Sequence, residues 1–139
     1  MKEIFRETLF GKTILTVLSL MLDRGVILTS CNEETAQKIL SPVPYARGFH
    51  FFMPDGHYTG ETATSLCSFL RDLGSVDVES IKFHFDRTDF QKWIRTTIGD
   101  EELAHRIDKM NIHLPEKTLH QQLTDLVQKR ISELQIIDT

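Results

Sequence analysis

The sequence predicts a mainly α fold, a compact bundle of five or six helices with one short β element. Apolar residues recur at helical spacing along most of the chain, and Gly or Pro ends several of these stretches. One run, Phe49–Met53, has the composition of a strand, and a Pro54-Asp-Gly56 turn follows it. With 139 residues, 40% of them hydrophobic and 26% charged, the chain is long enough to bury one core.

The first predicted helix spans residues 2–23 and is apolar on nearly all of its sides. Its most apolar part contains Ile14, Leu15, Val17, Leu18, Leu20, Met21 and Leu22. One neighbouring helix cannot cover such a circumference, so the helix must lie centrally or against a second chain. We therefore expect a homo-oligomer, most simply a homodimer, or a partner protein.

A second helix is predicted between a capping box, Ser30-x-x-Glu33, and Leu40. The sequence Ser41-Pro-Val-Pro44 stops it, because the residue before a proline is restricted away from the helical region. This corner is the predicted boundary between an N-terminal helical arm, residues 1–44, and a helical domain, residues 45–139.

Thr59 is the predicted cap of a helix that Gly74 closes. The sequence Thr59-Gly60-Glu61-Thr62 could hold an anion at that helix N-terminus, with help from Arg47 or Arg87. Ordinary capping explains the same residues, and we favour it.

Residues 77–86 fit either a strand or a helix. A strand would place Ile81, Phe83 and Phe85 on one face. A helix capped by Asp77 would form an apolar stripe from Val78, Ile81 and Phe85, and we favour this helix.

The next predicted helix begins at a capping box formed by Thr88 and Gln91 and ends at Gly99. Asp100 is the predicted cap of the following helix. Pro115 is predicted to open the last helix, where its missing N–H is tolerated.

The candidate functional residues cluster around a histidine that lies between two phenylalanines. The predicted ligand-binding residues are His84, Asp86, Arg87, Asp89 and Trp93. If Phe49 and Phe83 lay on paired strands, an alternative metal site would consist of His50, His84 and Asp86.

Each of these residues also has a structural explanation. His84 fits a buried imidazole that is hydrogen-bonded to a carbonyl or an aspartate, and Asp89 suits a helix start. Asp86 and Asp89 could act as an acid and base pair only if a pocket separated their pKa values. Trp93 lies on the apolar helix face with Phe90, which indicates a core position.

Charge and cysteine content exclude several classes of function. The net charge is −4, whereas nucleic-acid binding needs a basic face. The apolar run 14–22 is far too short to span a membrane. Cys31 and Cys67 show no metal or redox spacing, which indicates buried, reduced thiols in a cytoplasmic protein.

The spacing of several motifs resembles that of a known family. The motifs are Ser80-Ile81-x-x-His84, Asp89-Phe90-x-x-Trp93 and Gly99-Asp100-x-x-Leu103-Ala104. They are similar to an uncharacterised prokaryotic domain-of-unknown-function family, five-seven-five-two, over about residues Phe49 to Leu134. Members of this family occur alone in archaea and attached to larger proteins. The resemblance implies no catalytic residues, because the family has no assigned reaction.

These observations favour a non-catalytic binding or regulatory module that acts through protein–protein contacts. No group of residues indicates catalysis more strongly than it indicates a structural role, and we expect no cofactor. The alternative is a metal-dependent enzyme or small-ligand binder centred on His84, Asp86 and Asp89.

Overall fold

A computed structural model describes residues 32–138 of the chain, and in this part the fold is mainly α, as predicted. The described residues form six α-helices and one two-stranded antiparallel sheet. In chain order the elements are α1 (Glu33–Leu40), β1 (Phe49–Phe52), β2 (Tyr58–Ala63), α2 (Leu66–Leu73), α3 (Val78–Asp86), α4 (Asp89–Trp93), α5 (Glu101–Asp108) and α6 (Glu116–Asp138). The predicted helix 2–23 lies outside the described residues.

Helix α1 begins later than the sequence predicts. The Asn32 side chain accepts a hydrogen bond from the Thr35 N–H at 2.9 Å and so caps this helix, whereas the predicted cap, Ser30, lies outside the described residues. The Pro-rich corner that follows is bonded to the sheet region, because the Val43 N–H donates to the Thr64 carbonyl at 2.7 Å. One compact unit of the chain begins at Ala36. A domain boundary after residue 44 stays a prediction.

Strands β1 and β2 form a hairpin with an irregular register. The paired residues are Phe49 with Ala63, His50 with Thr62, and Phe52 with Tyr58. Residues 59–61 of β2 therefore lie opposite the single residue Phe51, which makes a bulge. Gly60 has a φ of 96°, which the bulge permits, and the Thr59 hydroxyl donates to the Phe51 carbonyl at 2.9 Å.

The predicted helix start at Thr59 is wrong, because residues 58–63 are strand β2. Its β-branched threonines suit a strand, and β1 needs a partner because a lone strand leaves its backbone groups unpaired. Helix α2 begins only at Leu66, after a capping box that Ser65 and Ser68 form. The anion site proposed at Thr59–Thr62 therefore lacks the helix N-terminus on which it depended.

Helix α3 confirms the helical interpretation of residues 77–86. The Asp77 carboxylate accepts from the Glu79 N–H at 2.9 Å and so caps the first turn. Phe83 consequently does not lie on a strand paired with Phe49, and the premise of the predicted His50–His84–Asp86 metal site fails.

The turn between α3 and α4 differs from the predicted capping box. Thr88 adopts a left-handed conformation with φ of 59°, and its side chain makes no capping bond to the helix. Its hydroxyl instead donates to the Arg87 carbonyl. Helix α4 continues into a π-helical turn, Ile94–Ile98, which Gly99 ends at φ of 87°, as predicted.

The last two helices begin near the predicted residues and are joined by an ion-pair network. Asp100 caps α5 by accepting from the Leu103 N–H at 3.2 Å, and α6 follows directly after Pro115. The Arg130 guanidinium donates to both Asp100 oxygens, at 2.8 and 3.0 Å. Arg130 is 9% exposed and Asp100 1%, so this pair between α5 and α6 is buried.

An aromatic cluster fills the core between the hairpin and helices α2 and α4. Its rings are those of Phe49, Phe51, Phe69, Phe90 and Trp93. The centroids of contacting rings lie 4.9 to 6.3 Å apart, which is typical of packed aromatic pairs. The cluster fixes β1 against the helices, and the outer side of β1 carries the candidate site.

Two further findings concern the predicted burial of the cysteine thiols and the predicted absence of a membrane-spanning helix. Cys67 is exposed, so the prediction of a buried thiol is wrong there, and Cys31 lies outside the described residues. Among residues 32–138, no helix combines the length and the apolar character that crossing a membrane requires.

Candidate functional site

His84 uses both of its ring nitrogens within the fold. Nε2 accepts the backbone N–H of Phe52 at 2.9 Å, so Nδ1 carries the proton of the neutral ring. Nδ1 donates to Asp89 Oδ2 at 2.8 Å. The residue is 4% exposed, and burial lowers the pKa of its ring, although the Asp89 carboxylate acts in the opposite direction.

His84 and Ser80 together cover the outer edge of β1. Ser80 lies one helical turn before His84 on α3, and its hydroxyl donates to the Phe52 carbonyl at 2.8 Å. Both backbone groups of Phe52 therefore have side-chain partners on α3. An unpaired strand edge exposes such groups, so these two side chains complete the pairing of the hairpin edge.

Asp89 connects His84 to Arg87. Its Oδ2 also accepts from Arg87 Nε at 2.9 Å. Burial alone would raise the pKa of Asp89, but the hydrogen bonds from His84 and Arg87 lower it below its ordinary value. The Arg87 guanidinium carbon lies 5.2 Å from the centroid of the Phe83 ring, a cation–π contact.

A pocket of about 460 Å³ opens beside these side chains. Its lining comes from β1, the turn after it, and the α3–α4 region. The lining residues are Gly48, Phe49, His50, Phe52, Gly56, Phe83, His84, Arg87 and Asp89. The pocket is thus mainly aromatic, with one guanidinium and one carboxylate in its wall.

The structure brings together three of the five predicted ligand-binding residues, His84, Arg87 and Asp89. Asp86 lies apart from the pocket lining and pairs with Lys82 Nζ at 2.6 Å. Trp93 is 8% exposed and belongs to the core, where its indole N–H donates to the Arg47 carbonyl at 2.9 Å.

The predicted alternative metal ligands are not gathered around one point. His50 lines the pocket, but its Nδ1 pairs with the Thr62 hydroxyl at 2.8 Å. His84 has no free ring nitrogen, and Asp86 pairs with Lys82. Within residues 32–138, no three His, Cys, Asp or Glu side chains are placed to hold one metal ion.

Exposed aromatic side chains adjoin the pocket on the outside of the hairpin. Tyr45 is 63% exposed, Tyr58 39% and Phe52 36%. The His50 ring connects them, with its centroid 5.2 Å from that of Tyr45 and 6.2 Å from that of Tyr58. Phe52 lies 5.7 Å from Tyr58. We call the surface formed by Tyr45, His50, Phe52 and Tyr58 the aromatic face.

Hydrogen bonds hold the tyrosines of the aromatic face in place. The Tyr58 hydroxyl lies 2.6 Å from the Thr62 hydroxyl and 3.2 Å from the Tyr45 hydroxyl. The Thr62 hydroxyl also donates to Tyr45 at 3.4 Å, and this hydrogen bond lowers the Tyr45 pKa. The two rings are therefore fixed in orientation although their outer surfaces face water.

Sequence reasoning missed the aromatic face and the phenylalanines of the pocket. Tyr45 and Tyr58 are the only tyrosines of the chain, and both lie on this face. Their clustering becomes visible only once β2 is recognised as the partner of β1. The alternating pattern of Phe49-His50-Phe51 was a local signal for an outward-facing His50.

Comparisons with known proteins add no family or relative. No family model matches the sequence, and no curated protein or solved structure matches the chain. The resemblance to the domain-of-unknown-function family therefore stays a prediction.

Proposed function

We propose that the protein is a non-catalytic binding module that acts through protein–protein contacts in the cytoplasm, with the aromatic face as its recognition surface. The exposure of Tyr45, Phe52 and Tyr58 carries this proposal. Exposed aromatic side chains that adjoin one another are typical of interfaces, where Tyr and Phe are enriched. The hydrogen bonds that orient the two tyrosines support the proposal further, because less side-chain entropy remains to be lost on binding.

The contacts of His84 argue against the metal-dependent alternative. A metal ligand or general base needs a free nitrogen lone pair, and the Nε2 lone pair of His84 accepts the Phe52 N–H. Freeing that nitrogen would uncover the edge of β1. Asp89 is likewise engaged by His84 and Arg87.

The small-ligand alternative keeps one supporting observation, the pocket of about 460 Å³. Its volume lies within the usual range for ligand sites, roughly 300–1,000 Å³. Because Phe52 belongs to both the pocket and the aromatic face, a partner protein could occupy the two surfaces together.

Photo-crosslinking of the full-length protein in its own cells tests the proposal. A photoreactive phenylalanine analogue replaces Tyr45 on the aromatic face, and in a matched control it replaces the exposed Gln128 on α6. We expect a discrete protein adduct from position 45 only, which disappears when Phe52 and Tyr58 are changed to Ala. An adduct of twice the chain's mass would identify a second copy as the partner. The same products from both positions, or none from position 45, would contradict the proposal.

A further inference from the structure

The Arg87 guanidinium is positioned by the fold but only partly used by it. Its Nε donates to Asp89 and its central carbon lies 5.2 Å from the Phe83 ring centroid, so two contacts orient a side chain that is 60% exposed. A guanidinium has five N–H donors. The four terminal N–H groups of Arg87 have no hydrogen-bond acceptor among the described residues, and Arg87 lines the pocket.

The charges in the pocket favour a singly charged anion. Arg87 is the one Arg or Lys side chain among the described residues that line it, and Asp89 lies beside Arg87. A dianion such as a phosphate would meet the Asp89 carboxylate with only one guanidinium to balance it. A carboxylate can instead pair with the outer edge of the guanidinium through two parallel hydrogen bonds.

The rest of the lining favours apolar groups next to that carboxylate. Phe49, Phe52 and Phe83 provide aromatic surface, whereas Gly56 leaves room because it has no side chain. Phe52 continues from the pocket into the aromatic face. A free small acid would occupy only the pocket, whereas a polypeptide can cover both the pocket and the aromatic face.

We infer that the pocket binds the side-chain carboxylate of an acidic residue that lies between aromatic or aliphatic residues in a partner protein. Arg87 pairs with the carboxylate, and the phenylalanines contact its neighbours. This inference rests on the proposed function, and it names the chemistry by which the partner is recognised.

Titration of the full-length, ¹⁵N-labelled protein with three probes tests the inference. The probes are the blocked tripeptide acetyl-Phe-Glu-Phe-amide, its Gln counterpart, and the free acid 3-phenylpropionate. Binding is followed through the Arg87 Nε–H resonance and the Phe52 and Arg87 backbone amides. We expect the Glu peptide to bind roughly tenfold more tightly than the Gln peptide, because only a carboxylate gives charge-assisted hydrogen bonds. We also expect it to bind more tightly than the free acid.

Variants then assign the preference to Arg87. Arg87→Gln should bind both peptides equally weakly, and Arg87→Lys should keep only part of the preference because it lacks the planar fork. Lys117→Gln, which removes one exposed positive charge on α6, should behave as the wild type does. Thermal melts of each variant separate loss of binding from loss of folding.

Three outcomes would overturn the inference. They are equal binding of the Glu and Gln peptides, no binding of either one, and tighter binding of the free acid than of the Glu peptide. None of these would refute the proposed function, which the crosslinking at Tyr45 tests separately.

Discussion

Trp93 joins the core to the chain segment that precedes the hairpin. Its ring packs 5.7 Å from Phe49 and 5.5 Å from Phe69, and its N–H bonds to the Arg47 carbonyl. The residue therefore combines a large buried surface with one satisfied polar group, which explains why the only tryptophan of the chain lies inside.

Two substitutions separate these contributions of Trp93. Trp93→Ala should lower the free energy of unfolding by about 3–5 kcal/mol, because it leaves a large cavity. Trp93→Phe keeps most of the packing but leaves the Arg47 carbonyl unpaired, at a cost of about 1–2 kcal/mol. Urea unfolding followed by circular dichroism measures both. Equal losses, or native fluorescence typical of an indole in water, would show that Trp93 is not a core residue.

His84 should make the fold sensitive to acid. Its pKa is lowered by burial, whereas in the unfolded chain it titrates near the ordinary histidine value of about 6.5. The unfolded state therefore takes up a proton first as the pH falls. The contribution of the neutral ring to the free energy of unfolding is complete above about pH 6.5. As the pH falls below this value, the contribution is lost by up to about 1.4 kcal/mol per pH unit.

The comparison of wild type with His84→Gln between pH 7.5 and 5.5 isolates this effect from the other histidines. We expect the variant to be less stable at pH 7.5, because Gln can accept from the Phe52 N–H but loses the packing of the ring and its Nδ1–H bond to Asp89. It should lose less further stability on acidification. Unfolding free energies that fall in parallel for the two proteins would contradict this account of His84.

Between elements, the buried pair of Asp100 and Arg130 fixes α5 against α6. Arg130→Met should cost about 3–5 kcal/mol, because it leaves a carboxylate that is 1% exposed without its positively charged partner, with only the Leu103 N–H still bonded to it. Adding Asp100→Asn should recover part of this loss by removing the charge. Arg95→Met is the control, because its ion pairs with Glu101 and Asp108 lie at the surface and are worth about 1 kcal/mol or less. Similar losses for Arg130→Met and Arg95→Met in urea unfolding would refute the argument.

Elements with their own boundary signals were predictable from the sequence. Asp77 and Asp100 each cap a helix through a bond to a backbone N–H within three residues, and Gly99 supplies a positive φ. Strand β2 was not predictable in this way. Thr59-Gly60-Glu61-Thr62 suits a helix N-terminus locally, and only pairing with β1 makes it a strand.

The same distinction applies to the candidate site. His84, Arg87 and Asp89 were found because they lie close together in the sequence. The role of His84 depends instead on Phe52, 32 residues earlier, whose N–H uses the second ring nitrogen. Asp86 is close to the cluster in the sequence but lies outside the pocket lining, because the helix turns it toward Lys82, four residues before it.

For the whole molecule, we predict a dimer that forms through the apolar helix expected at residues 2–23. The test is light scattering on the full-length chain and on a chain that starts at Asn32. The shorter chain includes the whole of α1, which begins at Glu33. We expect a dimer and a monomer respectively. The prediction is contradicted if the full-length protein is a monomer, or if the shorter chain forms the same oligomer as the full-length protein. An insoluble shorter chain would also contradict it, because the N-terminal arm would then belong to the core.

The two candidate functions of the molecule require different states of the His84 ring nitrogens. A binding module keeps this ring as part of the fold, whereas a metal-dependent enzyme needs one of its nitrogens. Long-range ¹H–¹⁵N spectra of the full-length protein at pH 7.5 decide between them, with the His84 signals assigned by their loss in His84→Gln. Our account predicts a neutral ring protonated on Nδ1, unchanged by an equimolar amount of Zn²⁺. A proton on Nε2, or a His84 signal that shifts when zinc is added, would contradict it.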